Sequence, residues 1–314
     1  MGLFLKKVFV YLVVLVLFTI SIQALISYRI SGVNVSGNDN LELYKGFNAD
    51  IVFLGSSRAR SHFDPKFFAK EYNLKGLNLG MQSRNELTLY LSRLKDYLSF
   101  NHAPKFIIIN LDPHTNGNPI DLDKEKDGKA IINKNNFSKY SFIPFNTNWK
   151  TIEFYNYNNF EKYVPLFSLF KYNQIKSYLF LNESNFEKNG YYKRTGVFNS
   201  SETEILRLKK GYEEIHDSKN TKLALEEFSK YCKELDIDII AIQTPVINEI
   251  YSEVGFNQCQ VMCKELNIPI INTNVDYIIT NTNNFEDGYH LNRNGVVQMN
   301  EYFIQNKQLD SLLR

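Results

Sequence analysis

Apolar residues fall along this chain in three patterns. The first is an uncharged, largely apolar run from Val8 to Ile26, about 19 residues long, close to the ~20 that cross ~30 Å of hydrocarbon. The second is a set of short, apolar-rich runs: Ala49–Gly55, Leu74–Leu79, Lys105–Leu111, Ile237–Gln243 and Ile268–Asn272. Runs of this length predict strands, and the unbroken apolar stretch in the first predicts one covered on both faces. Between them the spacing changes to that of helices. A turn and helix are expected from Ser57 to about Glu71. A second helix is expected over Asn85–Leu98, where Leu87, Tyr90, Leu91, Leu94 and Leu98 share a face. Further helices are expected over Glu202–Leu235, Val246–Leu266 and Asn294–Gln305. The third pattern is an absence of rhythm. Residues 113–200 are rich in Asn, Tyr, Phe and Lys, with a charged loop at Asp121–Lys129 and aromatic-rich helices expected over Thr151–Leu181. A stretch of that length predicts an inserted cap or lid rather than a bare loop.

Strands alternating with helices predict an α/β fold. The expected form is a three-layer α/β/α sandwich around a five-stranded parallel sheet, preceded by one transmembrane helix. Residues 1–27 read as the anchor, 28–48 as a polar juxtamembrane linker, and 49–314 as one folded domain with its insertion at about 113–200. Lys6 and Lys7 precede the apolar run. Positive charge there holds the N-terminus in the cytoplasm and puts the domain outside. The run is longer than the ~7–15 residues of a cleavable leader's apolar core, so an uncleaved signal anchor is expected, with a cleaved leader as the alternative.

Composition narrows the function classes. The net charge of +2 sets up no large field toward nucleic acid, and no nucleic-acid partner is expected. Three cysteines, Cys232, Cys259 and Cys263, form no even disulfide framework. Cys259 and Cys263, four apart on a helix, read as small core residues. No phosphate-binding Gly-x-x-x-x-Gly-Lys-Ser/Thr loop, no His-Glu-x-x-His and no dense metal-ligand cluster occur. Neither a metal nor a cofactor is expected.

The chemistry concentrates at two places. The first strand ends in Leu54-Gly55-Ser56-Ser57-Arg58, and a late loop reads Glu286-Asp287-Gly288-Tyr289-His290. A serine becomes a nucleophile when a histidine takes its proton and a carboxylate holds that histidine in the right tautomer. Ser57, His290 and Asp287 supply those three parts. Ligands of open parallel sheets sit beyond the carboxyl ends of the strands. Gly55–Ser57, Gly80, Asn110–Asp112, Gln243–Pro245 and the 285–290 loop all fall at such ends. Each part also has a plainer reading. Ser57 could cap a helix, Gly80 could simply make a turn, and Asp287 and His290 could be solvated loop residues. His62, His102, His114 and His216 lack a comparable setting.

Gly55-Ser56-Ser57, then Asn78-Leu79-Gly80, then the late Asp287-x-x-His290 resemble the SGNH/GDSL superfamily of serine esterases and acyltransferases. In style the chain is similar to its membrane-anchored envelope members, the DltD-like and alginate O-acetyltransferase-like proteins. The resemblance covers short blocks around 51–60, 76–83, 105–112 and 285–295. It implies a flavodoxin-like SGNH fold, Ser57 as nucleophile with Ser56 as fallback, and an oxyanion hole from the N–H groups of Ser57 and Gly80 with the Asn110 amide. Two departures stand out. Ser56 replaces the usual Asp of Gly-Asp-Ser, and Ile109-Asn110-Leu111-Asp112-Pro113 replaces the usual Gly-x-Asn-Asp. The resemblance implies an extracytoplasmic serine esterase or O-acyltransferase. Its partners would be the cytoplasmic membrane, through residues 8–26, and an acylated envelope carbohydrate or small ester. The alternative is a non-catalytic scaffold that binds glycan or assists a membrane acyltransferase. Substrate-binding residues are not legible.

Overall fold

The computed structural model describes residues 2–30, 44–81, 85–115, 185, 187–213 and 218–313. The chain divides into two units. The described part of the first is one helix, α1 (Gly2–Ile30), long and apolar enough to cross a membrane. The charged loop and aromatic-rich helices expected within 113–200 lie outside the described residues.

The second unit is built on five strands: β1 (Ile51–Leu54), β2 (Gly76–Asn78), β3 (Phe106–Asn110), β4 (Asp238–Gln243) and β5 (Ile270–Asn272). They form one sheet in the order β2-β1-β3-β4-β5, every pair parallel. The sequence explains the layers. Successive strand side chains point to opposite faces. Ile51, Phe53, Phe106, Ile108, Ile240, Ile242 and Ile271 join one buried apolar cluster. The alternate set, Val52, Leu54, Ile107, Ile109 and Ala241, is just as buried. Both faces are therefore covered, and the architecture is the expected three-layer α/β/α sandwich. Phe63, Phe67 and Phe68 come to the first cluster from one side of the chain, and Val296, Met299 and Phe303 from the last helix.

The strand order reverses direction between β1 and β3. A crevice opens at such a switch point, outside the carboxyl ends of the two strands. Gly55 follows β1 there, and Asn110 closes β3. Gly55 has φ +151°, and an added Cβ would lie 2.5 Å from Ala59 Cβ and 3.0 Å from Asn110 Cβ. Gly55→Ala is expected to destabilise the fold by about 1–3 kcal/mol through overpacking, read as a shift in the urea midpoint.

Several helices differ from their expected bounds, each for a local reason. Ser57–Glu71 is two helices, α2 (Ser57–His62) and α3 (Pro65–Tyr72). Pro65 disfavours helix at the residue before it. Asp64 then caps α3 by accepting the Lys66 N–H at 2.9 Å, with Pro65 in the first turn, where no N–H is needed. Asn85–Leu98 contributes α4 (Leu87–Leu98). Glu202–Leu235 is α5 (Glu202–Tyr212) and α6 (Ser218–Glu234). The helix expected over Val246–Leu266 begins only at Glu253, as α7 (Glu253–Glu265), capped by Ser252. Before it, the Ile247 carbonyl accepts the N–H groups of Ile250 and Tyr251 in tight turns. The apolar spacing of Val246, Ile247 and Ile250 reflects full burial rather than a helix. Two short elements, α8 (Asp276–Ile279) and a 3-10 turn at Thr282–Asn284, precede α9 (Arg293–Asn306). Neither is long enough to show a period in the sequence.

Candidate active site

The first residue of α2 and the loop before α9 meet. Ser57 Oγ lies 2.8 Å from His290 Nε2. His290 Nδ1 lies 2.8 Å from Asp287 Oδ2 and 3.1 Å from Oδ1. Three residues expected to act together, the first separated from the last by 233 positions, form one continuous hydrogen-bonded line. Ser57 and His290 are buried, at 7% and 3% exposure, so solvent competes little for these bonds.

Local chemistry fixes each member. Ser56 is the N-cap of α2 and accepts the Arg58 N–H. That occupies the fallback serine and leaves Ser57 to face the histidine. Asp287 Oδ1 accepts the N–H groups of Tyr289 at 3.0 Å and of His290 at 2.8 Å. This Asx turn folds the loop so that the carboxylate reaches the ring of the third residue on. A Cβ on Gly288, between them, would meet the tip of the Ile250 side chain, Cδ1, at 2.4 Å. Burial of α2 is tight at its second residue. The Arg58 guanidinium donates to Asp112 Oδ2 at 2.6 Å and to the Tyr212 hydroxyl at 2.7 Å. It also reaches the carbonyls of Thr244 and Pro245. Arg58 thus joins the start of α2 to the ends of β3 and β4 and to α5.

Two of the three expected oxyanion donors make hydrogen bonds within the domain. The Gly80 N–H donates to Asn78 Oδ1 at 2.9 Å, in a turn where a Cβ would strike the Arg60 backbone. The Asn78 amide donates in turn to the carbonyls of Ala59 and Phe63. The Asn110 amide donates to the Ile242 carbonyl and to Thr244 Oγ1, both at 3.3 Å. Gly80 and Asn110 therefore brace α2 and β4. The remaining expected donor is the Ser57 N–H. The plainer reading of Gly80 as a turn glycine accounts for its position.

No family model matches the chain, and no curated protein matches it. Solved structures do resemble it. One is a candidate acylhydrolase from Bacteroides fragilis NCTC 9343, with a TM-score of 0.39 and 12% identity over 89% of this chain and 100% of that one. Another is a GDSL-like lipase from Bacteroides thetaiotaomicron VPI-5482, with a TM-score of 0.34 and 12% identity over 83% of this chain and 88% of that one. At that distance it is the geometry of Ser57, His290 and Asp287 that bears on function.

The electrostatics suit proton transfer. Burial pushes the His290 imidazole down to about 4, its hydrogen bond to the Asp287 carboxylate opposes this, and the Arg194 and Arg58 charges add to it. Burial alone would raise the Asp287 carboxyl. Its hydrogen bond and charge interaction with His290, and the two N–H groups it accepts, outweigh that and hold it below the usual range. At neutral pH the arrangement is thus a neutral imidazole between a serine hydroxyl and a carboxylate. Such a ring accepts from Ser57 at Nε2 and donates to Asp287 at Nδ1. Among the described residues, no group of three or more His, Cys, Asp or Glu is placed to hold a metal.

Residues that the sequence reading did not assign to the site stand around the triad. Arg194 donates to Glu286 Oε1 at 2.6 Å and to Ser61 Oγ at 3.2 Å, linking α2 to the base loop. The Tyr289 ring lies 4.2 Å from that of His290. His62, expected to lack a comparable setting, is fully buried, with its ring 6.3 Å from His290's. Basic and imidazole residues crowded into the short segment after the nucleophile were the available signal. Arg58, Arg60 and His62 all fall within six residues of α2.

Proposed function

We propose that the chain is a membrane-anchored, extracytoplasmic serine esterase or O-acyltransferase of the SGNH type. The observation that carries this is the hydrogen-bonded line Ser57–His290–Asp287 at the switch point of a parallel sheet. Ser57 Oγ attacks an ester carbonyl while His290 Nε2 takes its proton. The tetrahedral oxyanion forms beside the Ser57 N–H. His290 then returns the proton to the leaving alcohol, and an acyl-serine remains. A second hydroxyl, from water or a carbohydrate, gives its proton to His290 and takes the acyl group. Ser57 regains its proton, and the cycle closes. Asp287 keeps the imidazole in the required tautomer and stabilises its transient charge.

The substrate class follows from placement. Val8–Ile26 anchors the chain in the cytoplasmic membrane, and Lys6-Lys7 put the folded domain outside. Acylated envelope carbohydrate is the substrate in reach there. A C-terminal alkaline phosphatase fusion is expected to be active, and a cytoplasmic reporter at the same point inactive. The reverse pattern removes the extracytoplasmic assignment. Turnover of an aryl acetate by the full chain in detergent tests the esterase chemistry. Its absence at neutral pH sinks it.

One observation favours a second reading. With the Gly80 N–H and the Asn110 amide engaged internally, the oxyanion has fewer donors than the family supplies, and one such donor is worth roughly 2.7–4 kcal/mol of barrier. On that reading the domain is a non-catalytic scaffold that binds glycan or assists a membrane acyltransferase.

The pH dependence has a definite sign. His290 must be neutral to accept the serine proton, so kcat/KM is expected to hold down to about pH 5 and to fall as pH drops through about 4. Stability moves the same way. An imidazole whose folded pKa lies below its unfolded value of 6.5 binds its proton more readily in the unfolded chain. Between pH 6.5 and about 4 the unfolded state holds more protons, so stability falls with falling pH. A melting temperature that rises on acidification over that window contradicts this.

A further inference from the structure

The nucleophile and the base are carried by different elements, and their 2.8 Å contact survives only if those elements are held in register. α2 is six residues long, with Ser57 first and His62 last. His62 Nε2 accepts the backbone N–H of Leu291 at 2.9 Å, and Leu291 follows His290 directly. We propose that His62 is a positioning residue for the base, tying the far end of the nucleophile helix to the backbone of the base loop. This rests on the serine-esterase reading and adds to it a residue that does not touch the reacting atoms.

Three observations support the assignment. The ring is fully buried, so the bond is sheltered from water. It stands edge-on to His290, with ring planes at 85°, and limits how His290 can tilt. Its other nitrogen, Nδ1, has no hydrogen-bond partner among the described residues. A buried polar atom left unpaired is destabilising, and phenylalanine or leucine would fill the same space without that cost. The imidazole is therefore a costly choice for packing alone, and the Leu291 bond is what it supplies.

The bond also fixes a protonation state. Nε2 accepts only when it carries no proton, so His62 must be the neutral tautomer with hydrogen on Nδ1. The groups around it are Arg58, Arg194 and His290. Burial first, and then the charges of these three, hold its imidazole well below 6.5. A proton on Nε2 would face the Leu291 N–H donor to donor and push the base loop away.

The test compares His62→Leu with His62→Gln in the full chain in detergent. Glutamine carries a carbonyl oxygen at about the reach of Nε2. With an aryl acetate, His62→Leu is expected to lower kcat by on the order of 10²-fold, as a misplacement near 1 Å does, with KM little changed. Its acid limb should move up from about 4 toward the ordinary imidazole value of 6.5, because a loosened His290 meets water. His62→Gln should recover most of kcat and the acid limb. A stability loss alone moves neither the acid limb nor the kcat-to-KM split. A second measurement needs no turnover: the low-field proton of His290 Nδ1 in its bond to Asp287. It should be present in the wild type and His62→Gln and lost in His62→Leu. If folded His62→Leu keeps that resonance and the wild-type kcat and acid limb, the positioning role is wrong while the esterase reading stands. If the wild type turns over no ester, the esterase reading fails, and the resonance still decides whether His62 holds His290 in place.

Discussion

Ser57→Ala lowers aryl-acetate turnover by on the order of 10⁶-fold, His290→Ala by a similar factor, and the double variant is hardly worse than either. The expectation follows from the line of bonds at the switch point. Ser57 Oγ and His290 Nε2, 2.8 Å apart, act as one unit: without the base the hydroxyl is a poor nucleophile, and without the hydroxyl the base has nothing to activate. Losses in such a unit do not multiply. Asp287→Asn loses less, on the order of 10⁴-fold, because Asp287 orients the imidazole and takes no proton itself. The Asx turn adds a local effect, since Asp287 Oδ1 also accepts two backbone N–H groups, and an asparagine oxygen can keep those bonds. Ser56→Ala separates the two serines. It removes a helix cap, at about 1 kcal/mol of stability, and leaves the nucleophile in place. Independent, multiplying losses at Ser57 and His290 would speak against a triad.

Arg58→Met has the largest expected effect on the fold. Arg58 and Asp112 are paired at 2.6 Å with 3% and 0% of their side chains exposed. Removing the cation leaves a carboxylate in the interior without its partner, which costs roughly 3–5 kcal/mol. The Tyr212 hydroxyl and the Thr244 and Pro245 carbonyls lose a donor at the same time. Arg58→Lys is not a conservative change, because an ammonium group cannot fork across these acceptors from one plane. Arg58→Met with Asp112→Leu should recover much of the loss, since an apolar pair replaces the ion pair rather than breaking it. Urea denaturation of the two variants gives the comparison. A single variant as stable as the wild type would show that the pair does not hold the start of α2.

The strands were legible because most are short, apolar-rich runs, and the sheet contains all five. Their parallel arrangement followed from the helices between them. Helix ends were less legible where burial imitates a helical period, as at Val246, Ile247 and Ile250, or where a proline divides one apolar stretch into two helices, as at Pro65. The meeting of Ser57 with His290 and Asp287 was readable because each residue stands at a strand end or in a loop beside one. The fate of the oxyanion donors was not. Whether Gly80 offers its N–H outward depends on the rotamer of Asn78, two residues earlier, and whether Asn110 does depends on Thr244, 134 positions away. His62 was missed for the same reason, since its partner is a backbone N–H 229 residues on. Distant pairings of this kind leave no spacing in the sequence.

The central claim is that Ser57 is activated by His290. A fluorophosphonate reacts with an activated serine at its phosphorus and releases fluoride, leaving a covalent adduct. The direct measurement is the site and rate of that adduct, by peptide mass spectrometry of the full chain in detergent. Rapid labelling confined to Ser57, abolished in Ser57→Ala and in His290→Ala and retained in Ser56→Ala, is the result expected here. No labelling of the folded wild type, or equal labelling with and without His290, would contradict it.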